Sequence, residues 1–228
     1  MSLIGYAGDL GQNPFLERSF PMRSAIVLVG GEARRAQGQE KYFFTYLGRT
    51  FIERLIDSLR QVVDEIILVA RDPEQCTRFN SLDGIRCITD IRMGLGPIGG
   101  LHAGSLAAQG DLVFVSACDM PCIDPRVIAY LFDHIDGYDA VIPRWNTDML
   151  EPLHAVYRRT ALIDYLEHHT SQSLREMVLN LSARYVMVDE LQSIDPDLRT
   201  FTNINKLEDL ERINSPDSSF RQSIDPKS

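Results

Sequence analysis

No run of apolar residues in the 228-residue sequence approaches the roughly 20 needed to cross a bilayer. A membrane-embedded role is therefore not expected. Residues 1–23 also lack the basic start, apolar middle and small-residue cleavage site of a signal peptide, and the sequence reads as cytoplasmic. Cysteine is scarce, with four residues: Cys76, Cys87, Cys118 and Cys122. No second cysteine or histidine cluster stands at zinc spacing beside Cys118 and Cys122, so a structural metal site is not expected. The four are read as reduced, mostly buried thiols. Positive charge is short as well: 23 basic residues stand against 32 acidic ones, for a net charge of −9. Nucleic-acid binding requires a basic face, so nucleic acid is not an expected partner. Two familiar nucleotide signatures are missing, G-x-x-x-x-G-K-[ST] and G-x-G-x-x-G. No internal repeat is visible.

What is present points to one α/β domain. Hydrophobic residues make up 44% and charged residues 24%, ordinary for a globular chain whose length supports one sizeable core. The stretch from Ser24 to Lys41 reads SAIVLVGGEARRAQGQEK. Its apolar run, Ala25 to Val29, predicts a buried strand of a parallel sheet. The glycine pair Gly30-Gly31 lets the backbone turn and approach a ligand closely. Backbone N–H groups there, with Arg34, Arg35 and Lys41, suit a polyphosphate. An acidic protein that binds a polyanion must gather its cations locally or recruit a metal, and this loop gathers them.

The rest of the chain alternates between strand and helix patterns. Tyr42 to Leu47 is β-rich. Thr50 and Glu53 form a capping-box pattern before a helix whose apolar residues run from Phe51 to Val62. Strands are predicted at Glu65–Ala70, Ile85–Thr89, Leu112–Ala117, Ala140–Pro143 and Arg184–Val188, with a strand core inside Glu151–Arg158. A short helix is expected over Pro73–Phe79. A glycine-rich loop, Gly94 to Gly100, leads into a helix from Leu101 to Gln109. Asp124 caps a helix opened by Pro125. Further helices are expected at Leu162–His168, Ser173–Asn180 and Leu207–Ile213. This order predicts a three-layer α/β/α sandwich around a mainly parallel sheet with right-handed crossovers. Residues 1–22 read as an extension, 23–213 as the domain and 214–228 as a polar tail. Ligands gather at the carboxyl ends of strands in such sheets, where Gly30, Asp90 and Asp119 all fall.

The pattern Leu28-Val29-Gly30-Gly31-x-x-Arg34-Arg35-x-x-Gly38-x-x-Lys41 resembles the signature of the molybdenum cofactor guanylyltransferases. The resemblance continues in family order through Asp90, Gly96-Pro97-Ile98-Gly99-Gly100-Leu101, Cys118-Asp119-Met120-Pro121, Pro152-Leu153-His154-Ala155-Val156-Tyr157 and Asn203-Ile204-Asn205. It departs from the family where Val29 stands for alanine, at Ala36-Gln37, at Glu40, and where Arg71 stands for an asparagine. It implies a Rossmann-like nucleotidyltransferase fold of glycosyltransferase-A type. It also implies transfer of GMP from GTP to molybdopterin with Mg²⁺ on Asp119.

On that resemblance Arg34, Arg35, Lys41 and Asp119 are the expected catalytic residues. Leu28, Val29, Gly30, Gly31, Lys41, Asp90, Gly99 and Asp119 are expected to bind nucleotide, and Asn203 and Asn205 the acceptor. GTP and molybdopterin are the implied partners, and contacts with molybdoenzymes or cofactor-biosynthesis proteins follow as a further implication. His154 is read first as a packed histidine and second as a base. Trp145 and Arg144 are read either as stacking on a flat pterin or as covering apolar surface. Two alternatives stay open: a cytidylyl- or sugar-phosphate nucleotidyltransferase of the same fold, and a non-catalytic nucleotide-binding homologue.

Overall fold

The computed structural model describes residues 21–30, 41–91 and 94–204. Gly31, Arg34, Arg35, Asn205, the side chain of Lys41 and the helix expected at 207–213 lie outside the described residues. The chain enters the sheet through β1 (Arg23–Leu28). After a 3-10 turn at Lys41–Phe43, β2 (Thr45–Tyr46) and β3 (Arg49–Thr50) form a small antiparallel hairpin. Then α1 (Phe51–Leu59) begins at the expected capping box, with the Thr50 side chain accepting from the Glu53 N–H and the Glu53 carboxylate accepting from the Thr50 N–H. Nine residues are too few for a stable isolated helix. Its stripe of Phe51, Ile52, Leu55, Ile56 and Leu59 is buried, and each such side chain contributes about 1.5–3 kcal/mol. Tertiary burial therefore decides this helix.

Next come β4 (Glu65–Ala70), α2 (Pro73–Thr77), β5 (Arg86–Thr89), α3 (Pro97–Ala107) and β6 (Leu112–Ala117). The second half holds α4 (Pro125–Asp133), β7 (Ala140–Arg144), β8 (His154–Arg158), α5 (Arg159–His168), α6 (Leu174–Asn180), β9 (Ala183–Met187) and α7 (Val188–Leu191). The main sheet has seven strands in the order β5-β4-β1-β6-β8-β7-β9. Only β8 opposes its neighbours, pairing antiparallel with β6 and β7. Period-two alternation divides the core between the two faces. Ala25, Val27 and Val29 join α1 and α4 on one side. Ile26 joins α3, α5 and α6 on the other. The expected mainly parallel α/β/α sandwich is the observed fold.

Four local expectations change. The β-rich run after Lys41 breaks into the 3-10 turn and the hairpin, whose connection is Leu47-Gly48. The glycine-rich stretch is helical from Pro97, so Gly99 sits in the first turn of α3 rather than in a loop. The reason is packing: a Cβ on Gly104 would lie 2.5 Å from Ile26 Cγ2, and one on Gly100 would lie 3.0 Å from Leu28 Cδ2. These glycines bring α3 down onto β1. Cys76 and Cys87 are joined in a disulfide that ties α2 to β5, which corrects the reading of four reduced thiols. All four cysteines are half-buried rather than buried. The short α7 had no expected counterpart. Among the described residues no helix is long and apolar enough to cross a membrane.

Candidate functional site

Because only β8 is reversed, the carboxyl ends of the other main-sheet strands share one edge, and β8 begins there. Gly30, Arg71, Asp90 and Asp119 follow β1, β4, β5 and β6 along that edge. From β1 the chain runs outward to β4 on one side and later returns to β6 on the other. That reversal between β1 and β6 makes a crevice at the strand ends, the usual ligand position in open α/β sheets.

The first wall is built on the exit of β1. A Cβ on Gly30 would lie 2.6 Å from Arg71 N and 2.9 Å from Ala70 C, so only glycine lets the two strand exits pack this closely. The Val29 N–H donates to Val69 O at 3.0 Å. Its carbonyl accepts from Gln75 Nε2, also at 3.0 Å. Asp90 is fixed by its own N–H, which donates to Ala70 O at 2.9 Å. Of the nucleotide-binding residues expected on this wall, the fold brings together Leu28, Val29, Gly30 and Asp90. The main chain of Lys41 re-enters beside Tyr42, whose hydroxyl accepts from Gln75 at 3.1 Å.

The second wall begins at Asp119, half-buried just beyond β6. The Ile204 N–H donates to Asp119 O at 3.0 Å, which sets the exposed Asn203 against the same strand tip. Thr200 anchors this segment. Its N–H donates to Asp195 Oδ2 at 2.8 Å, and its hydroxyl accepts from the Asp124 N–H at 3.1 Å. The same hydroxyl lies 3.3 Å from His154 Nε2. Since its oxygen already accepts, its proton is free to point at the imidazole. His154 is fully buried between the rings of Phe114 and Phe201, and burial drives its pKa down to about 3. It is a neutral packing residue, the first of the two sequence readings, and no base.

A residue that sequence reasoning passed over completes this wall. Glu151 accepts a hydrogen bond from Trp145 Nε1 at 2.8 Å. Burial raises its carboxyl above the usual range, the Asp119 charge adds to that rise, and the indole bond opposes it. Glu151 stood in plain view at the start of a predicted strand core, but nothing local links it to Asp119. Trp145 meets the Phe201 ring edge-on at 5.6 Å, and the Arg144 guanidinium covers Tyr185. Both side chains cover apolar surface.

Among the described residues no group of three or more His, Cys, Asp or Glu could hold a metal ion. The Asp119 carboxylate, the Glu151 carboxylate within its electrostatic reach and the amide of Asn203 offer hard oxygen donors. Such a sparse set fits a hard divalent cation that takes most of its ligands from substrate phosphates and water.

The family model of the MobA-like NTP transferase domain matches residues 25–185. A Methanosarcina acetivorans protein named "probable molybdenum cofactor guanylyltransferase" is 40% identical over 202 residues, 84% of this chain and 89% of that one. A Desulfosudis oleivorans protein named "molybdenum cofactor guanylyltransferase" is 35% identical over 193 residues, covering 83% and 93%. Among solved structures, molybdopterin-guanine dinucleotide biosynthesis protein A of Archaeoglobus fulgidus superposes with a TM-score of 0.69 at 32% identity, over 83% of this chain and 95% of that one.

Proposed function

The chain belongs to the molybdenum cofactor guanylyltransferase family, and from that membership we propose that it transfers GMP from GTP to the phosphate of molybdopterin. An acceptor phosphate oxygen attacks the α-phosphorus of GTP. The bond from that phosphorus to the bridging oxygen breaks, and pyrophosphate leaves. The acceptor oxygen is already anionic, so the reaction needs no general base. The neutral, enclosed His154 is consistent with that. Catalysis then rests on alignment and charge neutralisation.

The observation that carries this reading is the Ile204–Asp119 main-chain bond, which joins the proposed acceptor segment to the proposed phosphate site. Asp119 would hold Mg²⁺, with Glu151 close enough to share its charge; the cation would neutralise the phosphates as charge builds on the leaving group. Leu28, Val29 and Gly30 would line the nucleoside. Both main-chain groups of Val29 are already paired within the protein, which leaves the second lone pair of its carbonyl for a ligand. Asp90 would meet the nucleotide beside them. Gly99 lies in the first turn of α3, whose N-terminus carries no side-chain cap. A helix N-terminus of this kind suits an anion. Arg34, Arg35, Lys41 and Gly31 would face the triphosphate, and Asn203 and Asn205 the acceptor, as the family motifs imply.

The test is a product assay with GTP, Mg²⁺ and molybdopterin, run beside CTP, UTP and ATP. A guanine dinucleotide product with equimolar pyrophosphate is expected. A clear preference for CTP would sink the guanylyl reading.

A further inference from the structure

We infer that His154 and Thr200 are a positioning pair for the acceptor: the buried imidazole holds the Thr200 hydroxyl, and Thr200 in turn sets the segment bearing Asn203 against Asp119. The inference rests on the guanylyltransferase reading and on Asn203 as an acceptor contact.

His154 is fully buried, and its Nδ1 finds no hydrogen-bond partner among the described residues. A buried polar group left without a partner lowers stability, and an apolar ring of similar shape avoids that loss. Packing against Phe114 and Phe201 therefore does not explain an imidazole at this position, because phenylalanine would pack as well. What phenylalanine cannot supply is Nε2, which lies 3.3 Å from the Thr200 hydroxyl. Whichever nitrogen carries the proton, that is the ring's one hydrogen bond among the described residues.

Thr200 is 0% exposed, and its N–H and hydroxyl together join three elements. The N–H donates to Asp195 Oδ2 at 2.8 Å, just beyond α7. The hydroxyl accepts from the N–H of Asp124, the N-cap of α4, at 3.1 Å. The same hydroxyl reaches His154, the first residue of β8. The chain enters this segment through Leu198, whose φ of +52° lies in the left-handed region. A bulky side chain rarely accompanies that conformation, and it persists only where the surroundings hold it. The Leu198 N–H donates to Asp195 O at 2.9 Å, so Asp195 clasps both Leu198 and Thr200. Further along, the Ile204 N–H meets Asp119 O, beside the exposed Asn203. A strained turn and an incompletely bonded imidazole thus converge on one short segment. Fixing that segment in advance spares the acceptor the entropy of ordering it. None of the Thr200 bonds reaches Leu28, Val29, Gly30 or Asp90, so the effect falls on the acceptor rather than on GTP.

The experiment compares wild type with Thr200→Val, Thr200→Ser, His154→Phe and Asn203→Ala. KM for molybdopterin, KM for GTP and the thermal midpoint are read for each, and amide exchange over residues 201–204 is followed by mass spectrometry. Thr200→Val keeps the shape and loses the hydroxyl. It is expected to raise KM for molybdopterin roughly tenfold, with KM for GTP unchanged and faster exchange over 201–204. His154→Phe removes one of the hydroxyl's two bonds and is expected to raise KM for molybdopterin a few-fold. Thr200→Ser restores the hydroxyl and should return KM and exchange to the wild-type range. If Thr200→Val does not fold, the split between the two KM values in His154→Phe carries the test alone. A lower thermal midpoint with KM for molybdopterin unmoved, equal rises in both KM values, or a Thr200→Ser variant as impaired as Thr200→Val overturns the proposal. Asn203→Ala with KM for molybdopterin unmoved overturns instead the acceptor assignment beneath it. A wild-type chain that makes no guanine dinucleotide overturns the guanylyl reading, and the exchange comparison still decides whether His154 and Thr200 hold the segment.

Discussion

Ile204 donates its main-chain N–H to the carbonyl of Asp119 across 3.0 Å. This bond brings the segment bearing Asn203 to the strand tip bearing the proposed metal ligand. The two sit far apart in sequence and share no local pattern. Their contact is what turns a row of strand-end loops into a crevice with two chemically different walls.

Asp119 should be indispensable to turnover and dispensable to folding. Asp119→Asn keeps the shape and removes the charge. Pyrophosphate release from GTP is expected to fall at least roughly 100-fold, with the thermal midpoint within a few degrees of wild type. Full Mg²⁺-dependent release in the variant would remove Asp119 from the metal site.

Stability should respond to acid through His154. Its pKa is about 3 when folded, against an ordinary 6.5. Between those values the unfolded chain holds a proton that the folded chain does not. Stability therefore rises with pH across that window and levels off above it. His154→Phe should lower the slope by up to about 1.4 kcal/mol per pH unit, read from urea melts between pH 4 and 7.5. An unchanged slope would mean that His154 is protonated inside the fold.

The two close-packed glycines should fail differently. Gly104→Ala presses a methyl on the Ile26 side chain and should cost about 1–3 kcal/mol with KM for GTP unmoved. Gly30→Ala presses on the backbone of Ala70 and Arg71, which cannot rotate away. It should also raise KM for GTP severalfold. Equal effects on KM from both would deny Gly30 a place at the nucleotide.

Reduction should weaken the chain at α2. The Cys76–Cys87 disulfide spans 11 residues, and closing a loop of that size contributes about 2–3 kcal/mol. Cys76→Ser with Cys87→Ser should lower the unfolding free energy by that amount, read from urea melts. Dithiothreitol should lower the wild type and leave the double variant alone. Identical melts for all of them would show that the bond contributes nothing.

Much of the architecture is legible in the sequence, because its signals are local. Glu65–Ala70 and Leu112–Ala117 are continuous apolar runs, and the observed strands match them. Thr50 with Glu53, and Asp124 with Pro125, mark helix starts that the structure repeats. What escaped was set by tertiary partners. Glycine normally disfavours helix, so Gly99 to Gly104 read in part as loop, yet α3 needs those glycines to reach Ile26. The Cys76–Cys87 pairing depends on where β5 meets α2. Gln75 looked like an ordinary residue of a short helix, and only the fold reveals that Val29 and Tyr42 converge on it. The same holds for Glu151, whose neighbour Asp119 comes from another strand.

The central claim is that this crevice joins GTP to a pterin phosphate. Its most direct test incubates the purified chain with GTP labelled at the α-phosphate, Mg²⁺ and molybdopterin, and follows the label by chromatography and mass spectrometry. Label is expected in a pterin–guanine dinucleotide, with one pyrophosphate released for each, and no such product from Asp119→Asn. Label that stays in GTP while the wild-type chain binds both substrates would contradict it.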